Sequence, residues 1–292
     1  MSLTFDAVFI QILHGLTLAM MYILLASGLS IIFGLMRVLN FAHGSLYMLG
    51  AYFGFTIISW TGSFWLALLI APFLVAIVGV GMEIITIRPL YGRNPIYVII
   101  LTMALSMIFD ELVHIAWGPD YFSIITPPVL AKNIHILGQS YPLYRIFVLL
   151  LGICLVILLW LGLNKTKLGL IVRAGSVDAK MVAALGINIS KIFTITFAAG
   201  SFFAAMAGII MGPFLSLFPG MGLDIIIISI VIVIIGGLGS FTGAVLGALL
   251  IAEVQSLSFL ISSELSNIAI YFVMFILLLI RPHGILGKAE TE

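Results

Sequence analysis

Apolar residues run through this chain in long stretches, broken at charges, prolines and polar clusters. The stretches cover 8–35, 41–59, 64–86, 95–117, 143–163, 192–218, 223–238, 243–261 and 266–281. A helix crossing the hydrocarbon core of a bilayer needs roughly 20 apolar residues. The pattern therefore predicts an all-α, polytopic transmembrane helical bundle of about eight or nine spans. Two of them, 41–59 and 223–238, are glycine-interrupted or short and read as broken or re-entrant helices. The short alternating strands of an outer-membrane barrel are absent. The opening MSLTFDAVFIQILHG has no basic n-region and no small-residue cleavage site, so it reads as the start of a span.

Composition confirms the solvent. Of 292 residues, 63% are hydrophobic and 8% charged, against about 45–50% and about 25% in soluble domains. Mean hydropathy is +1.33. So few charged side chains cannot cover the outside of a soluble chain this size. A net charge of +1 excludes a polybasic nucleic-acid binder, and the single cysteine, Cys154, excludes a disulfide framework or multi-cysteine metal site.

The few charges set an orientation, because basic residues concentrate on the cytoplasmic side of a membrane. With the N-terminus outside, the inner face carries Arg37, Arg88, Arg93, Lys165, Lys167, Arg173, Lys180, Lys191, Arg281 and Lys288. The outer face carries Lys132 and Arg145, and the C-terminus falls in the cytoplasm. The whole chain, 1–292, reads as one transmembrane domain with an outer loop over 118–142 and an inner loop over 164–191. No segment has room for a nucleotide-binding or receptor domain, so the driving force is an ion gradient or another polypeptide.

The inner loop, NKTKLGLIVRAGSVDAKMVAALGINISK, holds the clearest chemistry. Ser176 is a candidate N-cap, Asp178 falls in a first turn and Gly186 stands where a C′ glycine ends a helix. The expected helix over 177–185 is about 13 Å long, too short to cross a bilayer. Met181, Val182 and Leu185 would share one apolar face. Such a helix either lies on lipid, connects two spans, or docks on a partner protein.

Several stretches together resemble the membrane-spanning permeases of branched-chain amino-acid ABC importers. They are NFAHG (40–44) within 15–52, RPLYG (88–92), RAGSVDAKMVAALGI (173–187), AAGSFFAAMAGIIMG (198–212), GGLGS (236–240) within 235–256, and RPHGILG (281–287). The combination is specific and runs nearly end to end. The resemblance implies a permease subunit in the cell inner membrane that translocates leucine, isoleucine or valine. It implies a second homologous permease chain or a second copy, two ATP-binding subunits that use ATP-Mg, and an extracytoplasmic substrate-binding protein. No cofactor is implied in this chain itself. The inner loop would hold the helix that couples to the ATPase, with Arg173, Ala174, Asp178, Ala183, Ala184 and Gly186 at the matching positions and Met181, Val182 and Leu185 on its apolar face. The initial glutamate of the general importer loop motif is absent. Urea, short amides and other amino acids are the alternative substrates within the family.

The 29 glycines cluster in 28–34, 207–212 and 236–248, at spacings that let helix backbones approach closely. Packing explains most of them. Two junctions, however, precede helices with small or capping residues: Asn40, His43 and Gly44 at one, Gly236, Gly237, Gly239 and Ser240 at the other. Interrupted helices in corresponding halves of a transporter often line its pathway, and a helix N-terminus favours a carboxylate. Both junctions are thus candidate path residues, with Asn40 equally readable as a structural N-cap and His43 as a backbone-bonded core histidine. His14 and His114 read as structural, and His135 and His283 have no metal-site partners.

Acids within apolar spans suggest function by default. Glu83 sits near Arg88 and reads as an interfacial charge. Asp110-Glu111 and Glu253 lie deeper, as an ion-coupled secondary transporter would require, which makes that the alternative of another class. An enzyme is disfavoured, because no P-loop, G-x-S-x-G or metal-ligand spacing is present. A passive channel would leave the capped inner helix without a purpose.

Overall fold

A computed structural model describes residues 5–136 and 138–287. Lys288, counted above with the inner charges, lies outside them. The chain is a helical bundle, and the helices follow the apolar stretches closely. They are α1 (Phe5–Met36), α2 (His43–Thr61), α3 (Phe64–Met82), α4 (Pro95–Trp117), α5 (Leu143–Lys165), α6 (Lys167–Val177), α7 (Ala179–Ala184), α8 (Ile189–Met211), α9 (Met221–Gly236), α10 (Phe241–Phe259) and α11 (Ser263–Ile280). Helix α3 runs on through a π-helical segment, Glu83–Ile87, and a 3₁₀ turn, Arg88–Leu90. The stretch 192–218 is not one helix: α8 stops at Met211 and the chain turns at 212–220.

Lipid offers no hydrogen bonds, so helix ends must satisfy their own donors. Short polar side chains do this here. Ser63, Asn94, Thr166, Asp178, Asn188, Ser240 and Ser262 each cap the helix that follows, accepting from a backbone N–H two or three residues on. In the long loop, β1 (Asn133–Ile136) pairs antiparallel with β2 (Gln139–Pro142), a hairpin that the apolar pattern does not predict.

Among the described residues, seven helices are long and apolar enough to cross a membrane: α1, α3 with its extension, α4, α5, α8, α10 and α11. The two stretches marked as broken or short, now α2 and α9, are not among them. The centre of the bundle is α1, α2, α8, α9 and α10. The outward faces of α3, α4, α5 and α11 remain apolar, with Phe73, Ile77, Ile100, Leu150, Phe272 and Leu279 exposed. Such a surface suits lipid.

Loop contacts sort the chain into two ends. At one end Arg37 donates to the Ser176 carbonyl and Arg88 to Thr194, while Gly34 meets Gly239 and Gly237 meets Gly287. At the other, Phe122 pairs with Leu217 in an isolated bridge and Gln11 bonds Ser256. Arg37, Arg88, Arg93, Lys165, Lys167, Arg173, Lys180, Lys191 and Arg281 lie toward the first end, Lys132 and Arg145 toward the second. The charge bias read from sequence is therefore a bias between two physical ends.

Helices α2 and α9 start inside the bundle. After α1 ends at Met36, residues 37–42 turn back, and the His43 Nε2 reaches the Leu25 carbonyl at 3.1 Å. Leu25 lies eleven residues before Met36, about 16 Å back along the helix. The start of α9 meets the start of α2 directly: a Cβ on Gly44 would strike the Gly222 carbonyl, and one on Gly222 would sit 2.8 Å from the Gly44 carbonyl. The N-termini of two broken helices thus abut near the middle of the molecule.

Candidate functional site

The segment between α5 and α8 is two helices, not one. Thr166 caps α6 by accepting from Gly169 N at 3.0 Å, and Gly169 fits because its Cα passes the Gly162 and Leu163 carbonyls. Ser176, expected as an N-cap, lies within α6, its hydroxyl donating to the Arg173 carbonyl at 2.8 Å. The N-cap of α7 is Asp178, whose Oδ1 accepts from Met181 N at 2.9 Å. Asp178 adopts extended backbone and so breaks the chain direction between α6 and α7. Gly186 does end the helix, at φ +82°, a conformation that glycine adopts without strain.

The shared apolar face is also corrected. Val182 is turned inward and buried, whereas Met181 is 60% and Leu185 73% exposed. With Val177, 78% exposed, they leave three large apolar side chains uncovered at the bundle end. Ala183, Ala184 and Gly186 are exposed beside them. Arg173 faces back, its Nη1 donating to Asn164 Oδ1 at 2.5 Å. Asp178→Ala should loosen α7 by about 1 kcal/mol through loss of the cap. The expected readout is faster protease nicking between 179 and 186 with unchanged membrane insertion; unchanged nicking would mean that Val182 alone holds the helix.

Glu83, expected as an interfacial charge near Arg88, does pair with that arginine, but within the bundle and not at its surface. Its side chain is fully buried. Arg88 donates from Nε to Oε1 at 3.1 Å and from Nη2 to Oε2 at 2.9 Å. Tyr91 Oη donates to Oε1 at 2.6 Å and Thr194 Oγ1 to Oε2 at 2.9 Å. Edge-on packing of Tyr91 against Phe193, with ring centroids 4.9 Å apart, completes the cluster. The RPLYG motif beside an acid five residues back signals the local pair. Thr194 lies 111 residues away and gives no such signal.

The candidate path residues separate into two places. His43 is buried with Nε2 bonded and Nδ1 without a partner among the described residues, and Asn40 is buried with neither side-chain atom paired. Asn40 is not the cap of α2: that position is Ala42, with no side-chain bond. Gly44 is the contact with Gly222. By contrast Gly236, Gly237, Gly239 and Ser240 lie at the bundle end. Gly236 packs on the Gly243 backbone, Gly237 (φ +103°) on Gly287, and Gly239 (φ +77°) on Gly34, while Ser240 caps α10. His43 and Gly239 meet α1 nine residues apart, at Leu25 and Gly34, about 13 Å along the axis. The structure does not bring the two junctions together. A cleft of about 210 Å³ instead joins Gly239 to Arg173, Asn164 and Ser176.

Asp110, Glu111 and His114 on α4 border an open cleft of about 430 Å³, closed on the far side by Phe218, Gly220 and Leu223. Glu253 stands alone: both carboxylate oxygens are buried without a partner among the described residues, beside Gly15 of α1. His14 stacks on Tyr141, in keeping with a structural role. No group of three or more His, Cys, Asp or Glu that could hold a metal occurs among the described residues.

This fold, a lipid-facing helical shell around two broken helices, is that of a polytopic membrane protein. Residues 11–279 match the family model of the branched-chain amino acid transport system permease component, and the chain belongs to that family. It is 28% identical over 299 residues to the high-affinity branched-chain amino acid transport system permease protein BraD of Pseudomonas aeruginosa, covering 97% of this chain and 96% of that one. It is 29% identical over 303 residues to LivH of Escherichia coli K12, with the same coverage. LivM of E. coli K12, another permease protein of that transport system, is 28% identical over 312 residues, 94% of this chain and 70% of LivM. No solved structure matches the chain.

Proposed function

We propose that this permease is the membrane-spanning subunit of a binding-protein-dependent ABC importer that moves branched-chain amino acids inward. The observation that carries the reading is the exposed apolar set Val177, Met181 and Leu185 on a capped, glycine-terminated helix at the charge-rich end of the bundle. That end is the cytoplasmic one by the positive-inside rule, which places the N-terminus outside. A separate ATPase subunit docks on α7, with Arg173 and Asp178 holding the segment's shape from behind. The full assembly has two such subunits, a second permease chain and an extracytoplasmic binding protein. Kinship to both LivH and LivM supports a pair of related permeases. Substrate class follows from what the relatives' names say of them. ATP-Mg belongs to the partner subunits.

The test is reconstitution of the chain with a candidate second permease, ATPases and binding protein in liposomes. Leucine-loaded binding protein should stimulate ATP hydrolysis and ATP-dependent leucine entry. Gradient-driven uptake by this chain alone would instead establish an ion-coupled transporter, the reading that the unpaired Glu253 carboxylate favours. In that case Glu253→Gln should abolish uptake.

A further inference from the structure

Resting on the importer reading above, we propose that Glu83, Arg88, Tyr91 and Thr194 form the joint through which movement of the ATPase-facing segment passes to α3. The first two turns of α8 receive the chain directly from α7 through only four residues, 185–188, and Asn188 caps α8 by accepting from Lys191 N at 3.1 Å. Displacement of α7 therefore falls first on the start of α8. That start is fixed sideways to one neighbour by polar bonds. Thr194 Oγ1 donates to Glu83 Oε2 and accepts from Arg88 Nη2 at 2.5 Å, while Phe193 packs on Tyr91.

The chemistry suits a joint rather than a plain packing contact. A carboxylate with no exposure is held by four donors at once, and the guanidinium adds a planar two-point grip that resists rotation. The grip is built on a π-helical segment, a backbone irregularity found disproportionately at functional sites. Further along, α8 meets α3 again where Gly79 admits Ser201, and meets α1 and α2 through the backbone contacts Gly28 to Gly200 and Gly50 to Ala205. Helix α8 is thus a lever whose loaded end is tied to α3 and whose middle bears on the broken-helix centre. Thr194 is a positioning residue in this scheme, because it acts through Glu83 and touches no substrate.

Thr194→Val tests the joint. It removes the polar tie between the helices but leaves the Phe193–Tyr91 packing and the Glu83–Arg88 pair, which lies within α3 and its extension. In the reconstituted complex, leucine moved per ATP hydrolysed should fall at least fivefold, and Thr194→Ser should restore it. An unchanged ratio overturns the proposal, and a wild-type complex that shows no leucine-stimulated hydrolysis overturns the importer reading instead. A second measurement avoids dependence on the variant's folding. Spin labels at exposed Ile85 and Lys191 should keep one separation with and without nucleotide, while each moves relative to a label on α11. A change of several ångströms between the two labels means that α3 and α8 move independently, and the joint is then refuted.

Discussion

Valine in place of Gly44 should leave little folded permease in the membrane. A Cβ at this position would strike the Gly222 carbonyl, with Ile226 Cβ 2.9 Å away. Overpacking of an ordinary core costs about 1–3 kcal/mol, because neighbouring side chains can shift. Here the obstacle is the backbone of another helix, so the expected cost lies above that range, against a total stability of about 5–15 kcal/mol. Gly208→Val should behave alike, since its Cβ would meet the Tyr47 carbonyl of α2. Gly81→Ala and Gly162→Ala are the controls. Nothing lies within 4 Å of a Cβ at either, and alanine within a helix is favoured over glycine by about 0.5–1 kcal/mol. Membrane abundance and thermal stability in detergent decide it: wild-type values for Gly44→Val would mean that α2 and α9 do not meet as described.

The second large effect is expected at the opposite kind of position. Met181→Glu combined with Leu185→Glu should abolish ATP-driven uptake while leaving the protein inserted and as abundant as before. Both side chains are mostly exposed, so the bundle loses no packing. A partner seated on them would have to bury two carboxylates without counter-charges. Losing a central apolar anchor of an interface costs about 2 kcal/mol or more, a factor of roughly 30 in occupancy. Co-purification of the ATPase subunit and leucine-stimulated hydrolysis give the readout. Normal stimulation would remove α7 as the docking helix. Val182→Glu should differ, loosening the segment itself, because Val182 is its buried anchor.

Most of the architecture was legible in the order of apolar and polar residues, since a bilayer leaves the chain few choices. Each apolar stretch became a helix, except that 192–218 ends its helix early, at Met211, and the two marked as interrupted became the two that start inside the bundle. Helix α6 was missed because Lys167, Gly169, Arg173 and Gly175 dilute its apolar pattern, though Thr166 was available as its cap. Ser176 and Asp178 are equally good capping residues two positions apart. The choice between them depends on α6 running through Ser176, which local sequence does not reveal. The inward turn of Val182 has the same origin: a helix of six residues has too few positions to define its face from periodicity, and contact with α6 and α8 sets it. Glu83 shows the general limit. Its neighbour Arg88 was in view, but burial of the carboxylate depends on Thr194 from a distant helix. The two glycine junctions looked alike as strings, yet one lies at the middle of the bundle and the other at its end.

The π-helical segment at Glu83–Ile87 has a consequence for residue numbering along α3. Hydrogen bonds there skip one residue more than in an α-helix, so the helix carries a spare amino acid relative to its axial length. Removing Ile85, which points outward, would let the turn relax to ordinary α geometry without touching any bonded side chain. Everything downstream would keep its direction, because the residue lost is the one that the wide turn absorbs, and Arg88, then four residues from Glu83 in place of five, would still face the carboxylate. The same deletion in a regular α-helical turn would instead rotate everything beyond it by about 100°, one residue's share of a 3.6-residue turn, so the wide turn is a place where α3 can lose a residue and keep its register.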